Sequence, residues 1–150
     1  MAIPTLGSDP YLRNSLAKLV KHVNDLKQNS SILVVDDDAD YCEALSELLS
    51  HEGYSVACAG NGRGALDYLS HSIPSLIILD LRMPIMDGRE FLRVQKLDPK
   101  LRSIPVVLTS GSGLIDDVEV SAVLHKPVDF AVLMHEVRRN YASPQLSERD

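Results

Sequence analysis

Five short apolar runs, at Ile32 to Val35, Val56 to Ala59, Leu76 to Leu79, Val106 to Leu108 and Ala122 to Leu124, punctuate the chain. None is broken by a polar residue, the pattern of strands covered on both faces, as in a parallel sheet. Between most of them the apolar spacing turns helical. Tyr41, Leu45 and Leu48 repeat at i, i+4 and i+7, and their segment closes at Gly53, a helix C-cap signal. Ala65, Leu66 and Leu69 keep this rhythm before Pro74; Phe91, Leu92 and Val94 follow Gly88; Ala131, Leu133, Met134 and Val137 follow Pro127. Such alternation predicts a doubly wound α/β sheet with right-handed crossovers. At 150 residues the chain fits one domain with short ends.

In an open parallel sheet, ligands bind beyond the carboxyl ends of the strands. The first run ends in Asp36 and Asp37, the third in Asp80, the fourth in Thr109 with Ser110, and the fifth in Lys126 before Pro127. Only the second lacks an ionisable or hydroxyl group at its end. Neighbouring carboxylates raise one another's pKa unless a cation or donors offset the charge. Asp38 is accounted for as the N-cap of the following helix; one cap needs one side chain, so Asp36 and Asp37 require another role. Mg²⁺ binds through one or two carboxylates, waters and phosphate oxygens. Asp37 and Asp80, with Asp36 acting through water, suit it. A carboxylate can also attack phosphorus to form an acyl phosphate, with Lys126 and Thr109 stabilising the equatorial oxygens. Singly these signals are weak, and it is the ordered set, one polar group per strand end, that carries the reading.

Charge and composition narrow the classes further. A net charge of −6 and a pI near 5.3 speak against a nucleic-acid footprint. Cys42 and Cys58 are too few for a disulfide framework and lack metal-ligand spacing, so they read as small, half-buried thiols in a reducing compartment. There is no basic leader with an apolar core and no apolar run long enough to span a bilayer, which leads us to expect a soluble cytoplasmic protein without membrane or nucleic-acid partners.

The quoted segments V-V-D-D, L-D-L-R-M-P-I-M-D-G, V-L-T-S and H-K-P stand in the order of the receiver domain of bacterial two-component response regulators. The chain resembles that family over about residues 31 to 142, in the single-domain, chemotaxis-regulator-like form. The resemblance implies a flavodoxin-like, five-stranded parallel sheet of order 2-1-3-4-5. It implies that Asp80 accepts a phosphoryl group from a sensor histidine kinase or phosphotransfer protein, and that phosphorylation switches binding to a downstream protein that the sequence does not name. Mg²⁺ would be held by Asp37, Asp80 and the backbone carbonyl of Arg82, with Asp36 assisting through water. Thr109 would bind the phosphoryl oxygen, Lys126 would pair with it, and the Lys126–Pro127 bond would be cis. Two departures stand out. Val123 occupies the position where the family usually carries a switching aromatic. The stretch Gly111 to Val120 is short for the fourth crossover, so the receiver's fourth helix is expected to be shortened to one or two turns, or replaced by a loop.

Two other readings use the same residues. Asp36-x-Asp38 resembles the nucleophile motif of haloacid-dehalogenase-like phosphatases, although that motif wants Thr or Val where Asp40 stands. A receiver-like interaction module that keeps the fold without phosphorylation is the non-enzyme rival, and its usual sign, loss of a site residue, is missing here. The divisions expected are an extension at residues 1–30, the receiver at 31–142 and a polar tail at 143–150. Within the extension, Asp9 and Pro10 read as a helix start. Leu12, Leu16, Leu19, Val23 and Leu26 follow at steps of four, three, four and three, the spacing of a coiled-coil seam. An isolated helix of this length is marginal in water, so residues 9–28 are expected to mediate a homodimer.

Overall fold

The computed structural model describes residues 9–28, 31–111, 113, 115 and 117–141. The tail expected at residues 143–150 and the first eight residues of the extension lie outside them. The elements are α1 (Pro10–Gln28), β1 (Ser31–Val35), α2 (Ala39–His51), β2 (Ser55–Ala59), α3 (Gly62–Leu69), β3 (Leu76–Asp80), α4 (Gly88–Leu97), β4 (Val106–Ser110), β5 (Ala122–His125) and α5 (Phe130–Asn140). The strands form one parallel sheet of order β2-β1-β3-β4-β5. Strand order reverses beside β1, so the crevice for a ligand falls at the carboxyl ends of β1 and β3.

The two sheet faces follow the alternation of side chains along each strand. Leu33, Val35, Ile77, Leu79 and Leu108 join Ala65 and Leu69 of α3 and Phe91 and Leu92 of α4 in one cluster. Ile32, Val34, Leu76, Ile78 and Val107 join Cys42, Leu45 and Leu49 of α2 and Leu133, Met134 and Val137 of α5 in the other. Both sets are buried, and a Val, Leu or Ile so placed contributes roughly 1.5–3 kcal/mol relative to exposure. With β1, β3 and β4 buried along their whole length, a strict polar alternation would have been fatal to them.

Local signals set the boundaries. Asp38, Asn61, Asp87 and Asp129 N-cap α2, α3, α4 and α5 through their side-chain oxygens. Gly53 follows α2 at φ +92°, a left-handed conformation that favours glycine, and its N–H donates to the Ser50 carbonyl. Asp9 starts α1 as expected, its carboxylate accepting the Tyr11 N–H at 2.9 Å. Leu12, Leu16 and Leu19 of the seam are 40 to 56% exposed, so this row is not packed into the domain core. The crossover from β4 to β5 contains no helical turn among its described residues, where one or two turns or a loop were expected. Ile115, Val118 and Val120 of that loop pack against the cluster of α3 and α4.

Candidate functional site

Asp36 and Asp37 directly follow β1, and Asp80 is the last residue of β3. Adjacent strands therefore deliver all three carboxylates to one place, each offering an oxygen within 4.8 Å of the others. Asp36 and Asp80 are buried and Asp37 is exposed. The backbone beneath them is tightly fixed. Asp36 N–H donates to the Ala59 carbonyl at 3.0 Å, and Leu81 N–H donates to the Thr109 carbonyl at 3.1 Å. Gly88 at the start of α4 lies so close to β3 that a Cβ there would sit 2.6 Å from the Asp80 carbonyl oxygen.

Lys126 supplies the cation that the acidic cluster demanded. Its ammonium donates to Asp36 Oδ2 at 2.8 Å and lies 3.6 Å from Asp80 Oδ1. Its N–H donates to the Ser110 carbonyl at 2.7 Å, the Lys126–Pro127 bond is cis, and the ammonium sits 4.9 Å from the Tyr41 ring centroid. The other oxygen of Asp36, Oδ1, accepts the Asp38 N–H at 2.9 Å. Both Asp36 oxygens are thus engaged by donors, which favours its acting on a metal through water. Thr109 pairs with Asp80 across the sheet, and its hydroxyl donates to the Leu79 carbonyl over a long 3.4 Å.

The charges respond to this setting. Burial first, and the neighbouring Asp36 charge second, push Asp80 above the ordinary carboxylate range, with Lys126 acting in opposition. For Lys126 burial works to lower the pKa, but the hydrogen bond and charge of Asp36, with Asp80 and Tyr41, hold it above its ordinary value. The donor set is all oxygen, as Mg²⁺ requires. Two ligands on one such ion at about 2.1 Å stand roughly 3.0 Å apart when cis and 4.2 Å when trans, a spacing the three carboxylates approach. Mg²⁺ therefore fits these residues, and Arg82, two residues past Asp80, is near enough in the chain for its carbonyl to complete the set.

Each site residue read from the sequence except Arg82, whose carbonyl no described contact places, is brought to this strand edge: Asp36, Asp37, Asp80, Thr109 and Lys126. Asp38 instead caps α2, accepting the Tyr41 N–H at 3.1 Å. In the dehalogenase-like arrangement Asp36-x-Asp38, the second carboxylate is thus the one that caps a helix. Val123 is half-buried against the α3–α4 cluster. Sequence reasoning missed Tyr41 beside Lys126 and Gly88 beneath Asp80; the latter had a signal in the D-G pair that opens α4. It also misjudged the cysteines. Cys42 is buried and Cys58 is exposed on edge strand β2, and the Cys58 thiol donates to the Cys42 backbone carbonyl at 3.6 Å. Burial, the neighbouring Cys58 thiol and the nearby Asp36 charge push Cys42 up to about 12.

A profile of the response regulator receiver domain matches residues 32–138, and this chain belongs to that family. Response regulator Rre1 of Synechocystis is 36% identical over 124 residues, which are 78% of this chain and 54% of that protein. The chain thus spans about half of that relative, and only 27% of the similarly matched transcriptional regulatory protein ZraR of Klebsiella oxytoca. Sporulation initiation phosphotransferase F of Bacillus subtilis is 34% identical over 74% of this chain and 93% of its own length. Among solved structures, the receiver domain of a Syntrophus aciditrophicus signal transduction histidine kinase superposes with a TM-score of 0.71 at 33% identity, covering 81% of this chain and 96% of that one.

Proposed function

We propose that this receiver takes a phosphoryl group onto Asp80 from the phosphohistidine of a sensor kinase or phosphotransfer protein, in a Mg²⁺-dependent reaction, and that the acyl phosphate alters binding to a downstream protein. The observation that carries the proposal is the convergence of Asp36, Asp37 and Asp80 oxygens within 4.8 Å, with the Lys126 ammonium bridging Asp36 and Asp80. An Asp80 oxygen forms the new bond to phosphorus as the bond from phosphorus to the donor nitrogen breaks, and the electron pair leaves with the imidazole. Bound Mg²⁺, held by Asp37, Asp80 and the Arg82 carbonyl with Asp36 through water, would neutralise the phosphoryl oxygens. Lys126 is already placed to pair with one of them. The Thr109 hydroxyl, whose bond to the Leu79 carbonyl is a long 3.4 Å, can turn toward another.

The similarity to a protein named a phosphotransferase, matched over nearly its whole length, supports a relay role. A cytoplasmic location accords with this reading, and no described helix is long and apolar enough to cross a membrane. With a small phosphodonor and Mg²⁺, the protein is expected to gain a base-labile acyl phosphate. Asp80→Asn and chelation of the metal are each expected to abolish it. Undiminished labelling in Asp80→Asn would remove the proposal.

The exposed row of α1 belongs to a second copy of the chain in this reading. The a/d spacing of Leu12, Leu16, Leu19, Val23 and Leu26 is that of a seam matched to an identical partner, and the first three are left half-exposed here. Light scattering at tens of micromolar is expected to give a dimer for the full chain and a monomer for a chain starting at Gln28. A full-length monomer, or a truncated dimer, refutes the seam.

A further inference from the structure

Beside the acidic cluster, a cleft of about 280 Å³ is lined by Asp36, Asp37, Ala39, Cys42, Glu43, Cys58, Ala59 and Gly60. Both cysteines of the chain therefore open onto the space next to the two aspartates. Cys42 stands in the first turn of α2 and Cys58 on β2, and they are 16 residues apart in sequence. Cys58 Sγ lies 3.6 Å from the Cys42 carbonyl oxygen and 3.1 Å from Ser46 Oγ. Ser46 is itself tied to that carbonyl by a 2.6 Å hydrogen bond, which fixes the turn of α2 that carries Cys42. Cys42 Sγ in turn donates to the backbone carbonyl of Asp36 at 3.7 Å.

From these contacts we propose that Cys42 and Cys58 form an oxidisable pair whose disulfide restrains the Asp36–Asp37 turn and slows phosphorylation. Three features support it. The Cys58 sulfur already lies against the backbone of Cys42 in the cleft that both residues line, so the two side chains are within reach of one another without a strand leaving the sheet. One is exposed and meets an oxidant from solvent, while its neighbour is shielded, the arrangement of an attacking and a resolving thiol. The shielded sulfur is also the one bonded to Asp36, so moving it disturbs the turn that delivers the acidic pair.

The oxidant is a hydroperoxide. Its O–O bond breaks as the Cys58 sulfur takes one oxygen, giving a sulfenic acid and releasing an alcohol or water. Cys42 sulfur then displaces the hydroxyl of that sulfenic acid, the S–S bond forms, and the hydroxyl leaves as water with the Cys42 proton. Two electrons pass from the thiol pair to the peroxide. A thiol reductant reverses the crosslink by exchange.

The regulatory half of this inference rests on the phosphorylation reading above, whereas the crosslink does not, so the experiment separates them. The full chain is treated with hydrogen peroxide, and its intact mass, maleimide-reactive thiols and labelling rate with a small phosphodonor are followed. The expected result is a mass loss of about 2 Da, disappearance of both reactive thiols, no covalent dimer on a non-reducing gel, and a several-fold slower labelling that dithiothreitol restores. Cys58→Ser is expected to label at the untreated rate with or without peroxide. Covalent dimers alone, or Cys58 oxidised further with Cys42 still reactive, overturn the crosslink. A crosslinked protein that labels at the reduced rate overturns the regulation. Failure of the reduced protein to label at all counts against the receiver chemistry and leaves the crosslink result standing.

Discussion

The acidic ends of β1 and β3 and the crossover leaving β4 are built by unlike means. At the acidic end the backbone that carries the buried carboxylates is fixed by neighbouring strands and a helix: Asp36 through Ala59, Asp38 and Lys126, Leu81 through Thr109, and the Asp80 backbone through the close approach of Gly88. The crossover has no helix among its described residues and rests on three half-buried side chains, Ile115, Val118 and Val120. Its Asp117 pairs with Arg89 of α4, which holds the Asp117 carboxyl below the usual carboxylate range. Both partners are substantially exposed, and such surface pairs add little to stability. The contrast teaches that positional precision is concentrated where charge must be handled, while the segment next to Thr109 is left easy to move. Local stability of this uneven kind is what a switching element needs.

The sharpest test of the contrast compares two apolar truncations. Leu108 of β4 is fully buried between helices and sheet. Its replacement by Ala is expected to cost about 3–4 kcal/mol in denaturant unfolding, from lost transfer energy plus an uncollapsed cavity. Val118→Ala in the crossover is expected to cost about 1 kcal/mol or less, because a half-exposed side chain can be replaced by water. Equal losses would mean that the crossover is core, and the contrast would fail.

A second test probes the acidic end itself. Burial and the Asp36 charge raise the Asp80 pKa, so the folded state holds that proton more tightly than the unfolded chain does. Stability therefore falls as pH rises through the range above the ordinary carboxylate value, and ionised Asp80 is a burden at neutral pH. In metal-free protein Asp80→Asn is expected to melt higher than the parent at pH 7, and the gap to close as pH falls. Mg²⁺ at 100 times its Kd is expected to stabilise the parent by about 2.7 kcal/mol and the variant much less. A variant that melts lower without metal would show that Lys126 already compensates the charge.

Much of this architecture was legible in the chain, for a physical reason. Strands of a parallel sheet are buried on both faces, so Ile32 to Val35, Leu76 to Leu79 and Val106 to Leu108 stand out as unbroken apolar runs, and the observed strands extend them by only one or two residues. The site was legible because each such strand hands one polar residue to the same edge. What stayed hidden depends on distances across the fold. Cys42 meets Cys58 only because β1 and β2 pair with Val34 opposite Cys58 while α2 lies over them. The double engagement of Asp36 likewise needs Lys126, 90 positions away, at the same edge. The shape of the crossover was open for another reason: Gly111 to Val120 has neither a helical rhythm nor a clear strand alternation to decide it.

The smallest effect concerns the loop that follows Asp80, where the acidic end carries a strain the crossover lacks among its described non-glycine residues. Ile85 has φ +69°, and the Met86 N–H donates to the Pro84 carbonyl at 2.7 Å, closing a three-residue turn around it. A γ-turn with positive φ is rare, and a β-branched residue there is unfavourable by roughly 1–2 kcal/mol. The side chain gains nothing in return, being 81% exposed. The turn persists because Met86 is fixed elsewhere: its carbonyl accepts the Gly62 N–H at 2.8 Å, and its side chain lies against Gly62 at the start of α3. Ile85→Gly relieves the strain, and the added freedom of the unfolded chain offsets about 0.5–1 kcal/mol of that gain. The net expectation is a rise of about 2–5 °C in Tm, with the labelling of Asp80 unchanged. A lower Tm would show that Ile85 stabilises the turn rather than straining it, and the difference in backbone tension between the two regions would disappear.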